Sequence, residues 1–302
     1  MTEALGPKSA RATLIVEQPE LATLVVSGPD RKTWLNGLVT CDVVNLEPGQ
    51  GAFGLALTKQ GKIVSDLNVV AAEGELYVSG APGTPLFHVL EAFLIMEDAN
   101  LVERSNEFTW LMLHGPQAGL LGERARQRQQ PAATIDWTGL GGAAIVVRRA
   151  AVKELVRELL TATGAAVVTG SVEDFEGLRI ERGLPRFGVD YDSRDNPHDA
   201  SLERRAVSWS KGCYLGQEVV CMQDMRGKPK RRLLTLEVAA EKPPVSGTPV
   251  MSGDEEVGKV TSSARSRSGG KTVVMARLAA RAVREGELSV AGHRAERVQR
   301  EA

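Results

Sequence analysis

Lys211-Gly-Cys-Tyr-Leu-Gly-Gln-Glu218 puts a cation, a thiol, two glycines, a phenol, an amide and a carboxylate into one short run, a mixture that no ordinary core segment requires. Apolar residues then return at roughly helical spacing, at Val219, Val220, Met222 and Met225, which predicts a helix that starts near Tyr214. On that reading Cys213 lies at a helix N-terminus, where unsatisfied N–H groups and the positive end of the macrodipole favour an anion. Lys211, two residues away, adds to the same effect, so the thiol is expected to ionise easily. The same glycines also suit a turn packed around a buried, inert thiol, and the residues alone leave both readings open.

Upstream of this motif, Arg186 to Trp209 is polar and turn-rich, with Asn196-Pro197 in its middle; a loop of that length reads as functional or disordered. Before it, Ser171-Val-Glu-Asp174 has the pattern of an N-cap with an acidic N3 partner. It predicts a helix to Arg182 that stops at Gly183-Leu-Pro185. Ala143 to Val147 reads as a strand and Ala151 to Leu160 as a helix. Nearer the N-terminus, Leu21 to Val26 reads as a strand, followed by a helix that carries Trp34, Leu35 and Leu38. Ala52 to Thr58 and Lys62 to Ala71 flank Lys59-Gln60-Gly61 as a hairpin. Leu76 to Val78 and Glu107 to His114 read as strands, Gln117 to Gln127 as a helix, and Leu86, Val89, Leu90, Phe93 and Leu94 as one helical stripe. Arg126 to Pro131 looks like a linker. Downstream of the motif comes the basic cluster Arg226-Gly-Lys-Pro-Lys-Arg-Arg232. From Leu233 onward short β-type runs alternate with Gly and Pro turns, which predicts a small antiparallel barrel or sandwich.

The 302 residues suit two or three domains with a real core, and 42% apolar with 25% charged residues is the balance of a globular protein. A formal net charge of −1 and only 4% aromatics argue against nucleic acid as a partner. No apolar run approaches the ~20 residues of a membrane span, and Met1-Thr-Glu-Ala lacks a secretory pattern. Three cysteines cannot form a disulfide framework, which fits a reducing cytoplasm.

Metal chemistry finds little support. Cys213 and Cys221 stand eight positions apart, a rise of ~12 Å along a helix, and the four histidines have no ligand spacing. No metal site is expected. A Cys213–His198 dyad would need folding to bring the pair together, and a lone loop histidine is ordinarily a solvated one. The five cations of Arg226 to Arg232 suit either a solvated hinge or a seat for a polyanion such as the glutamate tail of a cofactor.

The motif resembles the signature of the YgfZ-type folate-binding proteins, iron–sulfur assembly factors, which are in turn similar to the glycine cleavage T-protein (aminomethyltransferase) family. Gly28-Pro-Asp-Arg-Lys-Thr-Trp-Leu-Asn-Gly37 with Thr40 to Val43 resembles the family's early helix, and Gly61-Lys-Ile-Val-Ser-Asp66 its second-strand turn. Arg179 to Arg186, Asn196 to Leu202 and the segment after Arg231 also match. The resemblance implies an α+β, three-domain, folate-binding T-protein-like fold arranged around a central pocket, with a C-terminal antiparallel β-barrel. Its expected domains are residues 1–50 with 136–228, residues 51–135, and residues 229–302. It implies tetrahydrofolate or a derivative as cofactor, iron–sulfur client or assembly proteins as partners, and no membrane association. Cys213 is the expected catalytic residue, and Trp34, Asp66, Lys211, Tyr214, Gln217 and Glu218 are the expected folate contacts, with Trp34 as a wall for the pterin and Lys211 as a cation for it. Two positions depart from the pattern. Leu38 stands where the family usually has Gln, and the transferase's paired acids appear as Ser65-Asp66. Loss of one carboxylate weakens a proton-shuttling catalyst and favours the assembly-factor branch over the aminomethyltransferase.

Overall fold

The computed structural model describes residues 12–162, 166–227, 229–266, 271–283 and 287–298. The chain divides into two compact units. The larger takes in Arg11–Val172 and Arg204–Gln217, and the other contains Glu173–Glu203 and Glu218–Ala302.

The larger unit begins with β1 (Thr13–Gln18), β2 (Ala22–Ser27), α1 (Arg31–Asn36), β3 (Gly51–Leu57), β4 (Ile63–Ala71), β5 (Glu75–Gly80) and α2 (Leu86–Glu91). It continues with β6 (Asn100–Glu103), β7 (Phe108–His114), α3 (Ala118–Gln127), β8 (Ala132–Thr134), β9 (Gly142–Arg148), α4 (Val152–Thr161) and β10 (Val167–Gly170). The strands form two five-stranded sheets, ordered β10-β1-β7-β9-β8 and β3-β4-β5-β2-β6. The period-2 alternation of β7 shows how they stack. Leu111 and Leu113 pack with Leu121 of α3 and Leu155 of α4, while Trp110 and Met112 pack with Val25, Val70 and Tyr77 of the second sheet. The far face of that second sheet buries Leu24 and Val26 against Trp34, Leu35, Leu86 and Leu90 of α1 and α2. The layers therefore run helices, sheet, sheet, helices. Two indoles with polar partners cross the middle: Trp110 Nε1 donates to Thr23 Oγ1 at 2.9 Å and Trp137 Nε1 to Asn68 Oδ1 at 2.9 Å, so neither N–H is buried unpaired.

The second unit holds α5 from Glu173 onward (Val172–Glu181), nearly all of α6 (Gln217–Arg226) and a closed antiparallel barrel. The barrel strands are β11 (Arg231–Val238), β12 (Pro249–Ser252), β13 (Glu255–Arg265), β14 (Thr272–Ala279), β15 (Leu288–Val290) and β16 (His293–Arg297), joined in the order β11-β14-β13-β12-β15-β16. Leu236, Val238, Val250, Val260, Val274, Leu278 and Val290 fill its interior.

Several expectations need correction. The motif helix starts at Gln217 rather than near Tyr214, because Gly216 adopts a φ of +82° that an α-helix does not accept. Phe93 and Leu94 lie beyond the end of α2. Arg126 to Pro131 is no linker: the Gln130 amide donates to Ala125 O at 3.0 Å and the Val146 amide to Pro131 O at 2.8 Å, so the segment is the turn from α3 into β8. The polar stretch after Arg186 is firmly held. Asp190, 1% exposed, accepts from Arg179 Nη1 at 2.7 Å, the Arg186 amide at 2.9 Å, Thr261 Oγ1 at 2.5 Å and Ser262 Oγ at 2.7 Å. Arg277 forks onto Asp195 at 2.9 and 2.7 Å. His198 is buried rather than solvated, with Nε2 3.4 Å from Asp224 Oδ1.

Candidate functional site

The site is built on a turn. α1 is only six residues long, and the chain after it, Gly37 to Val43, curls back to the open edge of β3, where Val39 bridges Ala56. Thr40 fixes the register, since its amide donates to Leu55 O at 3.0 Å and its Oγ1 accepts from the Leu55 amide at 2.8 Å. Asn36 Oδ1 accepts from the Val43 amide at 2.9 Å and closes the turn. Cys41 is buried, and a Cβ at Gly54 would stand 2.5 Å from its sulfur. Burial pushes the Cys41 thiol up to about 12, so it stays protonated.

The motif segment is laid across this turn. Thr40 Oγ1 donates to Ala206 O, and the Ser208 amide donates to Thr40 O at 2.9 Å. Lys211 Nζ donates to Asn36 O at 2.6 Å, Val39 O at 2.8 Å and Cys41 O at 2.8 Å, and it lies 5.4 Å from the centre of the buried Tyr214 ring. Burial pushes the ammonium down to about 8, which still leaves it mostly charged at neutral pH. The Leu215 amide donates to Gly37 O at 3.0 Å. Gly216 abuts the β3–β4 turn so closely that a Cβ there would stand 2.5 Å from Thr58 O. Between the anchors at Lys211 and Tyr214 only Gly212 and Cys213 remain, both exposed.

The expected residues thus separate by role. Cys213 is displayed on a clamped turn, but not at the start of a helix. Lys211, expected to meet the cofactor, has its three N–H groups on main-chain carbonyls. Trp34, expected to wall the pterin, is 6% exposed and lies in the core with Nε1 on Phe93 O at 3.1 Å, so packing takes its ring. Tyr214 is buried beneath Lys211. Asp66 stays partly exposed on β4, in register with Leu55. Its neighbour Ser65 is fully buried, donating to Asp66 O at 2.6 Å and accepting from the Ala81 amide at 2.9 Å. Gln217 is partly exposed at the first position of α6, and Glu218 is exposed in its first turn. Trp209, 48% exposed, was not singled out from sequence, where an aromatic two positions before Lys211 was the available signal. In the basic cluster Arg232 is paired with the buried Glu203, Arg226, Lys230 and Arg231 are exposed, and Lys228 lies outside the described residues. Among the described residues no helix is long and apolar enough to cross a membrane.

Comparison with known proteins agrees with this architecture. The model of the GCVT N-terminal domain matches residues 9–129, and that of the glycine cleavage T-protein C-terminal barrel domain matches residues 231–301, together well over half of the chain. An aminomethyltransferase of Thermosynechococcus vestitus is 25% identical over 275 residues, covering 84% of this chain and 74% of that protein. The tRNA-modifying protein YgfZ of Vibrio vulnificus is 26% identical over 261 residues, covering 79% and 74%. The crystal structure of the glycine cleavage system aminomethyltransferase T from Bartonella henselae superposes with a TM-score of 0.81 over 97% of this chain and 87% of that one, at 20% identity, and so shares the fold. With both T-protein domain models matched over well more than half of its length, the chain belongs to the glycine cleavage T-protein family.

Proposed function

We propose that this protein binds a reduced folate, tetrahydrofolate or a one-carbon derivative, and acts as an accessory factor that builds or repairs iron–sulfur clusters in client enzymes, with Cys213 as its reactive group. The observation that carries the reading is the exposure of Cys213 between two anchored residues, against the burial of Cys41. A cysteine so displayed suits two tasks. It can lend a temporary ligand to a cluster iron, or it can attack a client disulfide, forming a new S–S bond as the old one breaks and a client thiolate leaves. A permanent cluster would need about four thiolates.

The residues of the larger unit fit a pterin. Its amide and amine edge needs a carboxylate or amide acceptor, which Asp66 and Gln217 offer, and its flat face needs an aromatic wall, which we assign to Trp209 rather than Trp34. Taken by itself, the exposed set Arg226, Lys230 and Arg231 of the other unit suits a polyanion such as a glutamate tail, and its grip on one should weaken as salt rises. One relative carries the name tRNA-modifying protein YgfZ rather than aminomethyltransferase, which favours a role outside glycine cleavage. The second reading, a folate-dependent aminomethyltransferase, draws on the name that several relatives carry and on Asp66. It is weakened by Ser65, whose enclosed hydroxyl offers no second titratable group.

Calorimetry with tetrahydrofolate should give binding that weakens at least tenfold in Asp66→Ala and Trp209→Ala; unaltered affinity would remove those residues from the site. Cells that carry Cys213→Ser should lose iron–sulfur enzyme activity while the variant still binds folate. Turnover of an aminomethyl-loaded lipoyl carrier with tetrahydrofolate would replace the accessory role with the transferase.

A further inference from the structure

We infer that Lys211 is a positioning residue, which fastens the Cys213 turn to the C-terminal end of α1. The purpose of such a device rests on the reading of Cys213 as the reactive group; its test does not. A helix leaves its last carbonyls without intrahelical donors. In α1 the carbonyls of Thr33, Trp34 and Leu35 accept from the amides of Gly37, Leu38 and Val39, so the last one, Asn36 O, is left for a side chain, together with Val39 O and Cys41 O of the turn that follows. An ammonium has three N–H donors and no acceptor. Here it meets Asn36 O, Val39 O and Cys41 O at 2.6 to 2.8 Å, one acceptor per donor, and its charge complements the negative end of the helix dipole. The lysine therefore caps α1 and its turn from a point about 170 positions along the chain.

The geometry on the other side of Cys213 explains why one lysine decides the matter. Tyr214 and Leu215 form a second anchor, through the buried ring and the Leu215 amide on Gly37 O at 3.0 Å. Both anchors grip the same turn, and the two residues between them are exposed. A Cβ added at Gly212 would meet nothing within 4 Å, so no packing at Gly212 restrains the thiol. With the ammonium gone, one end of the display is free and three main-chain oxygens lose their donor.

Lys211→Met keeps the aliphatic stem and removes the donors. In the full chain, hydrogen exchange at the Ser208 and Leu215 amides should speed up at least tenfold, while the amides of β7 and β9 keep their rates. A nitroxide on Cys213, in a Cys221→Ser background, should pass from a restrained to a mobile line shape. Lys211→Arg returns a cation with N–H donors and should recover part of both signals, yet its fork cannot satisfy all three carbonyls, so local exchange should remain above wild type. Unchanged exchange across residues 206–216 in Lys211→Met overturns the assignment, and so does an equal rise in β7 and β9, which would make Lys211 a contributor to global stability alone. Should Lys211→Met fail to fold, wild-type exchange in Lys211→Arg would overturn it equally. If Cys213→Ser leaves iron–sulfur enzymes unaffected, the functional reading falls and the exchange result still decides whether Lys211 holds the turn.

Discussion

The loop from Arg186 to Glu203 and the segment from Ala206 to Gly216 both carry charge and contain no helix or long strand, yet they use that charge in opposite directions. In the first, Asp190 and Asp195 turn inward and are matched by Arg179, Arg277 and hydroxyls of the barrel. In the second, one cation faces its own main chain and the thiol beside it faces solvent. Polar composition reports that a segment carries charge and does not report whether that charge is available to a ligand. The first loop is part of the core of its unit; the second is a mount.

The sharpest way to break this contrast is Asp190→Ala. It strips a buried carboxylate from Arg179, whose side chain is 2% exposed, and should cost roughly 3 kcal/mol, the low end for a broken buried pair because Glu176 still neutralises the arginine at 2.6 Å. Chemical denaturation measures it, and a loss below about 1 kcal/mol would show the loop to be a solvated one after all. Next comes Gly216→Ala. A φ of +82° and a contact 2.5 Å from Thr58 O should together cost roughly 2 kcal/mol and raise exchange at the Leu215 amide; a neutral result would mean that the motif does not press on the hairpin.

The buried thiol of the Gly37–Val43 turn, on which the mount rests, gives a smaller, pH-dependent signal. Burial raises Cys41 from 9.0 to about 12, so its contribution is intact below pH 9 and is lost as pH climbs toward 12. By pH 10 the loss should be on the order of 1 kcal/mol. Lys211, lowered from 10.5 to about 8, contributes the opposite slope over part of that range. The readout is therefore the difference between wild type and Cys41→Ala, and parallel stability curves would show the thiol to be hydrated. The smallest expected effect on stability is that of Cys213→Ser, within about 0.5 kcal/mol; a larger change would mean that Cys213 is packed rather than displayed.

Much of the fold was legible because its signals are local. Lys59-Gln60-Gly61 between two apolar runs marked the β3–β4 hairpin, and the Gly- and Pro-punctuated runs after Leu233 marked the barrel. β1 and β10 were not read at all: they pair in parallel, Thr13 with Val167, and no local pattern announces a partner so far along the chain. The motif was found but partly misassigned for the same reason. A lysine beside a cysteine suggested an electrostatic neighbour, whereas the acceptors for Lys211 are carbonyls of the last residue of α1 and of the turn after it, which no spacing in the sequence points to. Trp34 illustrates the other limit, since an aromatic on a helix reads equally as core or as ligand wall until its burial is known.

The interruption of the larger unit between Val172 and Arg204 has a bearing on biosynthesis. A ribosome delivers α1 and its turn early, and Lys211 and Leu215 only after it has made α5 and the Arg186–Glu203 loop, which belong mainly to the other unit. Until then the carbonyls of Asn36, Val39 and Cys41 have water as their donor, and the hydroxyl of Thr40 lacks its acceptor at Ala206. Folding that proceeds from the N-terminus during translation therefore raises the platform first and installs the thiol last. A nascent chain arrested before Arg204 should be cut by protease around Asn36 to Cys41, and one extended past Gln217 should be protected there.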